Sequence, residues 1–175
     1  MRKLLGAALL LVLWAPVAAF GSIVIDFDDL IGSGQVPDGY GGVGDWGGWT
    51  YYDAPQPPYN PHSPPCRVYD NTNGIFDFGS DVVFEGAWFA GHGQHDGFLN
   101  VYFELYDNNA LVHTSGEVDP DGTPQWLGSG YAGLVDEVKV IGSYGFFVMD
   151  DVQYVPEPAT LALLAFGGLA LLRRR

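Results

Sequence analysis

The stretch that decides the fold is FLNVYFELY, at residues 98–106. Apolar side chains alternate with more polar ones along it: Leu99, Val101, Phe103 and Leu105 against Asn100, Tyr102, Glu104 and Tyr106. Successive side chains of a strand point to opposite faces of a sheet, so the alternation predicts a strand with one face in the core and one in water. The sequence DNN follows at residues 107–109. Because Asn and Asp tolerate the left-handed backbone, we expect a hairpin turn there.

Further short segments with strand character lie on both sides of this stretch. They are residues 22–28, 82–90, 111–118, 134–141 and 144–155. A second turn is expected at DPDG, residues 119–122, and the chain contains 25 glycines but no long segment with helical spacing. Roughly six to nine short strands in one domain favour an all-β fold, specifically a two-sheet jelly-roll-like β-sandwich.

Charge is distributed unevenly along the chain. Five of the 7 basic residues lie at the ends: Arg2, Lys3, Arg173, Arg174 and Arg175. Residues 23–155 contain 20 of the 21 acidic residues and only Arg67 and Lys139 as bases, a net charge of −18. So negative a surface repels phosphate backbones, which excludes a nucleic-acid partner. The single cysteine, Cys66, excludes an intrachain disulfide.

Residues 1–21 have the features of a signal peptide. Arg2 and Lys3 form a positive n-region, residues 4–14 an apolar h-region, and VAA at residues 17–19 a cleavage site. Cleavage after Gly21 fits equally well, so the exact bond stays open. An uncleaved membrane helix is disfavoured because the apolar run is short and ends at Pro16. We therefore expect export by the general secretion machinery, removal of this helix by signal peptidase, and an ectodomain of residues 22–154.

Residues 155–175 combine three features in a fixed order. Pro156, Glu157 and Pro158 come first, residues 159–172 follow without a charge, and Arg173, Arg174 and Arg175 end the chain. The 14 uncharged residues would form a helix of about 21 Å, shorter than the hydrocarbon core of about 30 Å. The prolines predict an extended, accessible motif upstream of it. Because the terminal arginines stay cytoplasmic, residues 20–155 are expected on the outer side of the membrane. Such a tail indicates temporary insertion and processing; a plain membrane anchor is the alternative.

Together these three features resemble the PEP-CTERM sorting tail of exported bacterial proteins. The resemblance implies recognition by an exosortase, a membrane-embedded cysteine transpeptidase that cuts near the proline motif. It also implies a transient stay in the inner membrane through the short C-terminal helix. The destination would be the cell surface or extracellular matrix of a bacterium with an outer membrane. No activity of the ectodomain is implied, because many unrelated ectodomains carry this tail.

Residues 31–66 form a long segment rich in glycine, proline and aromatic residues. Long loops on a rigid sandwich commonly carry function. Exposed aromatic rings suit the C–H faces of sugars, so Trp46, Trp49 and Tyr52 are candidate carbohydrate-binding residues. In the alternative, Trp46 and Trp49 fold over one end of the core, as large aromatic residues are usually buried. The exposure of these rings distinguishes the two.

Carboxylates near the first and last strands form a candidate metal site. Alternation on the last strand directs Asp150 toward the core with Val148 and Val152, and Asp151 to the opposite face. A buried carboxylate must be paired or bound to a cation, and few basic residues are present. The first strand, expected beside the last, carries further acids, and oxygen ligands suit Ca²⁺. The predicted calcium ligands are Asp28 and Asp150, with Asp26 and Asp29 in reserve; the alternative is two clusters of solvated acids.

Two short stretches carry a second resemblance. IDFDDL at residues 25–30 and FVMDDV at residues 147–152 resemble the terminal motifs of calcium-bearing, carbohydrate-binding jelly rolls of the galactose-binding-like group. The resemblance implies the same fold, a structural calcium ion and a saccharide ligand.

Catalytic motifs are weak. His62 and Cys66 lie four residues apart, a faint thiol-protease pattern, although a structural thiol is favoured. HGQHD at residues 92–96 offers His92, His95 and Asp96 to Zn²⁺ or Cu²⁺, but its glycines favour a solvated loop. The sequence therefore predicts a non-enzymatic surface protein associated with extracellular polysaccharide. The alternatives are a glycan-active hydrolase and a purely structural envelope protein.

Overall fold

Antiparallel strands joined in one hydrogen-bonded network make up the described part of the chain, which is residues 21–70, 73–92, 100–142 and 146–157 of a computed structural model. The ten strands are β1 (Ile23–Ile25), β2 (Ser33–Gln35), β3 (Thr50–Tyr52), β4 (Arg67–Tyr69), β5 (Gly74–Gly91), β6 (Val101–Asp107), β7 (Ala110–Val118), β8 (Gln125–Gly128), β9 (Val135–Ile141) and β10 (Phe147–Pro156). Their order is β2-β3-β4-β10-β5-β9-β6-β7, with β1 beside β10 and β8 beside β5.

The all-β class is confirmed. Among the described residues, the helical structure consists of one 3-10 helix, at Tyr40–Gly42. The division of the strands into two jelly-roll sheets stays a prediction. Both expected flanking helices, the signal helix and the C-terminal apolar helix, lie outside the described residues. Within the described residues no helix is long and apolar enough to cross a membrane.

The β6–β7 hairpin forms where the alternating stretch predicted it. Val101, Phe103 and Leu105 are fully buried, whereas the residues between them are half-buried. Asn108 and Asn109 form the turn, with φ values of 50° and 64°. Both angles lie in the left-handed region that Asn tolerates, so the expected turn chemistry is confirmed.

Strand β5 is longer than expected and connects the two halves of the network. It begins at Gly74 rather than at residue 82, because GIFDF at residues 74–78 also alternates, with Phe76 and Phe78 buried. Its first half pairs with β9, and its second half pairs with β10 and β8. A register shift between Asp77 and Val82 separates the halves.

Strand β10 is central, and its position explains one wrong prediction. It pairs with β1, as expected, through Ile23 with Tyr154 and Ile25 with Val152. It also pairs with β4 and β5, and it is buried on both faces from Phe147 to Val152. Asp151 has a φ of 45° at a register shift of this strand. Because both faces of β10 are covered at this point, Asp151 is also buried, at 6% exposure, and the predicted outward orientation is wrong.

Trp46 and Trp49 are core residues, so the predicted sugar platform is wrong at both positions. Both are 0% exposed. The Trp46 ring packs 5.3 Å from the rings of Phe27 and Phe76, and its Nε1–H donates to the Tyr40 carbonyl at 3.1 Å. A tryptophan buries roughly 150–250 Å² of surface in this way, which outweighs the benefit of a solvent-exposed position. The alternative in which both rings cover the core is what the structure shows.

Candidate functional site

The connection between β3 and β4, residues 53–66, is here called the proline loop. It is held at both ends and in the middle by side-chain hydrogen bonds. The Arg67 guanidinium donates to the carbonyl oxygens of Ala54, at 2.5 Å, and of Pro65, at 3.2 Å. The Asn60 amide donates to the Gly122 carbonyl at 2.6 Å. These hydrogen bonds give the proline loop a defined conformation, which could not be predicted from its composition.

A pair of buried carboxylates on β10 supplies the strongest of these attachments. Asp150 accepts a hydrogen bond from the Ser63 backbone N–H at 2.9 Å. Asp151 accepts one from the Ser63 hydroxyl at 2.9 Å, and its other oxygen lies 2.5 Å from Nδ1 of His62. The His62 ring in turn stacks on Trp88 at 3.7 Å between centroids. His62 and Ser63 therefore attach the proline loop to the central strand.

Burial dominates the electrostatics of Asp150. The pKa of Asp150 is raised from 3.8 to about 8; burial is the largest cause, the Ser63 backbone N–H opposes it, and the neighbouring Asp151 charge contributes to the rise. Asp150 is therefore mostly protonated at neutral pH. The predicted inward orientation of Asp150 is confirmed by its 2% exposure. Its partners, Ser63 and the backbone of Asp151, were not predicted, because a proline-rich loop gives no periodic signal of where it folds back.

The four predicted calcium ligands, which all lie in the described part of the chain, do not belong to a group of three acids whose oxygens lie within 4.8 Å of one another. Asp26 accepts the Asp28 backbone N–H at 3.2 Å, and Asp29 accepts the Tyr40 hydroxyl at 2.5 Å. Asp28 accepts the Cys66 backbone N–H at 3.1 Å, and the charges of Asp28 and Asp150 both raise the pKa of Cys66. The described acids that bring three oxygens within 4.8 Å of one another are instead Asp81, Asp107 and Asp136. Calcium at Asp28 and Asp150 stays a prediction.

Cys66 has the properties of a structural thiol. Burial, with smaller contributions from the carboxylates of Asp150 and Asp28, raises its pKa to about 11. The thiolate is the nucleophile in thiol chemistry, and His62 is engaged by Asp151 instead. The raised pKa of Cys66 disfavours the thiolate at neutral pH.

The predicted histidine loop lies mostly outside the described residues. His92 follows β5, with its ring 6.3 Å from that of Tyr59, whereas His95 and Asp96 belong to the part that is not described. Its metal binding stays a prediction.

A cleft of about 480 Å³ lies between the proline loop and strands β3, β4 and β10. Its lining is Ser33, Tyr52, Ala54, Gln56, Tyr59, Tyr69, Phe147 and Val148. The rings of Tyr52 and Tyr69 meet edge to face at 5.5 Å, and the Arg67 guanidinium lies 3.8 Å from the centre of the Tyr52 ring. Burial raises the pKa of both Tyr52 and Tyr59, so their hydroxyls remain protonated hydrogen-bond donors.

Tyr52 is the one predicted sugar-binding residue that lines this cleft. Tyr59 and Tyr69 were missed as its companions. Both are visible in the sequence as aromatic residues, Tyr59 in the middle of the proline loop and Tyr69 in β4, which follows it. Their proximity depends on pairing of β3 with β4, where Tyr52 faces Arg67 and Thr50 faces Tyr69. Strands of three residues are too short to be recognised from alternation.

The end of β10 leads directly into the C-terminal tail. Pro156 is the last residue of the strand and pairs with Val82, and the Glu157 N–H donates to the Asp81 carbonyl at 3.2 Å. Residues 155–175 match the PEP-CTERM protein-sorting motif. This motif implies an exported protein that an exosortase processes and that associates with the surface. No curated protein and no solved structure matches the chain, so the galactose-binding-like resemblance stays a prediction.

The PEP-CTERM motif begins within the folded sheet. Pro156 and Glu157 are half-buried, so the accessible stretch expected for the whole motif is not found at these two residues. Proline is tolerated here because it occupies the last position of a strand, where its missing N–H costs no interior ladder bond. Pro158, Arg173, Arg174 and Arg175 lie outside the described residues.

Proposed function

We propose that this chain is an exported, non-enzymatic surface protein that an exosortase processes and that associates with extracellular polysaccharide. The match of residues 155–175 to the PEP-CTERM motif carries the sorting part of the proposal. Signal peptidase removes the N-terminal segment, the tail holds the protein in the inner membrane for a time, and cleavage near Pro156 releases the ectodomain outward.

Replacement of Pro156, Glu157 and Pro158 by alanine tests the sorting. The protein should still be exported, because the signal peptide is intact, but its C-terminus should remain unprocessed and membrane-bound. Mass spectrometry of the mature C-terminus measures the outcome. The same mature terminus in the variant and the unaltered protein would overturn this part of the proposal.

Association rather than catalysis is proposed for the ectodomain. A glycan-active hydrolase needs two carboxylates that face the substrate. Asp150 and Asp151 are the acids with the most unusual environment, but both are buried, both bind Ser63, and neither lines the cleft. The cleft offers aromatic rings and uncharged polar groups, which supports reversible binding to a sugar polymer.

Co-fractionation tests the association. The protein should sediment with the isolated extracellular matrix and should be released into the soluble fraction when the matrix polysaccharide is degraded enzymatically. A protein that remains with the cells after this treatment would favour the purely structural envelope role.

A further inference from the structure

We infer that the cleft lined by Tyr52, Tyr59 and Tyr69 is a binding site for a neutral saccharide. The inference rests on the proposed association with polysaccharide and specifies where the sugar binds and which class of sugar is accepted.

The chemistry of the lining matches a sugar ring. Three phenol rings line the cleft, and two of them, those of Tyr52 and Tyr69, are held in fixed relative orientation by their edge-to-face contact. The Arg67 guanidinium covers one face of the Tyr52 ring, so a pyranose would contact the remaining apolar ring surface through its C–H groups. The tyrosine hydroxyls, the Ser33 hydroxyl and the Gln56 amide provide donors and acceptors for sugar hydroxyls. Phe147 and Val148, 0% and 2% exposed, lie behind this lining as part of the core and add no charge to it. The volume of about 480 Å³ falls within the range of small-molecule sites.

Charge selects a neutral sugar. None of the eight lining residues, all of them described, carries a formal charge. The nearby Arg67 guanidinium is 1% exposed, lies against the Tyr52 ring and donates to the carbonyls of Ala54 and Pro65. An acidic sugar would therefore meet no accessible cation while approaching a segment with a net charge of −18. A basic ligand would find no carboxylate within the cleft to compensate its desolvation.

The proline loop makes the cleft rigid before ligand binds. Ser63 is attached to Asp150 and Asp151, and Asn60 is attached to Gly122. Tyr59 and Gln56, which belong to the same loop, therefore lose little conformational freedom when a ligand binds. Such preorganisation increases affinity because the ordering cost is met on folding.

Calorimetric titration of the full chain, purified in detergent, tests the inference. The probes are neutral tetrasaccharides of β-linked glucose, galactose and N-acetylglucosamine, with tetragalacturonate as the acidic counterpart of the galactose oligomer. At least one neutral tetrasaccharide should bind with a dissociation constant in the millimolar range or below, and tetragalacturonate should bind much more weakly.

Variants locate the bound sugar. Tyr59→Ala should raise the dissociation constant about tenfold, whereas Tyr59→Phe, which keeps the ring, should have a smaller effect. Trp126→Ala is the matched control, because Trp126 is an aromatic residue with 37% exposure that lies outside the cleft. It should leave the dissociation constant unchanged. If Tyr59→Ala does not fold, as judged by its melting temperature, Gln56→Ala replaces it as the test. Gln56→Ala should raise the dissociation constant of the sugar about threefold.

The outcomes separate this inference from the proposed function. Absence of binding by the unaltered chain to any of the neutral tetrasaccharides would overturn the cleft as a saccharide site, whereas the association itself is overturned only when the protein fails to sediment with the extracellular matrix. Binding that is unchanged by Tyr59→Ala, or abolished by Trp126→Ala, would overturn the cleft alone. Equal binding of tetragalacturonate and the galactose oligomer would overturn the selectivity for neutral sugars.

Discussion

Asp150 shows how much depends on a single residue. Its inward orientation follows from alternation along β10. In the structure its side chain is 2% exposed, and burial raises its pKa to about 8. The cost of this burial is limited by two backbone N–H donors, from Ser63 and Asp151. Because Ser63 belongs to the proline loop, the same bonds that satisfy the carboxylate also shape the cleft.

The raised pKa predicts an unusual dependence of stability on pH. Between about pH 4 and pH 8 the folded protein keeps a proton on Asp150 that the unfolded chain has lost. Asp150 therefore lowers the free energy of unfolding as pH rises through this range, by up to about 1.4 kcal/mol per pH unit. In Asp150→Asn this contribution should disappear. Urea denaturation at pH 5 and pH 8 in EDTA measures it; equal pH dependence in both proteins would contradict the assignment.

At the scale of the element, glycines in β5 decide where strands approach most closely. Gly86 has a φ of 146°, lies at the register shift with β10 and also pairs with Gly128 of β8. A Cβ at this position would lie 2.2 Å from the Leu127 carbonyl oxygen, a backbone atom that cannot move without breaking the pairing of β8. Strand β5 can therefore pair with both β10 and β8 at this position only when the residue is glycine.

Gly86→Ala should accordingly destabilise the protein, by at least about 2 kcal/mol, because it combines a steric clash with an unfavourable backbone angle. Gly116→Ala on β7 is the control, since a Cβ there has no atom within 4 Å. The control should be neutral or slightly stabilising, through the smaller entropy of the unfolded chain. Chemical denaturation of both variants compares them, and similar free energies of unfolding would show that β5 and β8 can separate at this point.

For the whole molecule, the dominant feature is self-repulsion. A segment with two basic and 20 acidic residues folds so that β1, which is followed by Asp26, Asp28 and Asp29, lies beside β10, which carries Asp150 and Asp151. Divalent cations would relieve the repulsion. Asp28 and Asp150 remain the predicted ligands, and Asp151, which accepts a hydrogen bond from Ser63 of the same loop, is too close to Asp150 for its substitution to serve as a control.

Calcium should therefore raise the melting temperature of the protein relative to EDTA. At about 100 times the dissociation constant, a ligand that binds only the folded form adds about 2.7 kcal/mol. Magnesium should do less, because it demands a strict octahedron. Asp150→Asn should abolish the shift, whereas Asp136→Asn, which changes the separate cluster of Asp81, Asp107 and Asp136, should retain it. A shift lost only in Asp136→Asn would move the site to that cluster.

The sequence by itself determined the features that depend on neighbouring residues. Alternation and turn chemistry are local properties, so the β6–β7 hairpin with its Asn108–Asn109 turn was predictable. The tail at residues 155–175 was predictable because it functions as an ordered linear motif. The acidic balance is a property of composition alone.

Only the tertiary structure decided which side chains are covered and which meet. Trp46 and Trp49 became core because Phe27 and Phe76, distant in sequence, pack against that segment. Asp151 is buried because other segments cover β10 on both faces. The tyrosine cleft exists because β3 and β4 pair and the proline loop is attached to β10. The physical reason is common to all three: burial depends on contacts between segments far apart in the chain, which a local pattern does not contain.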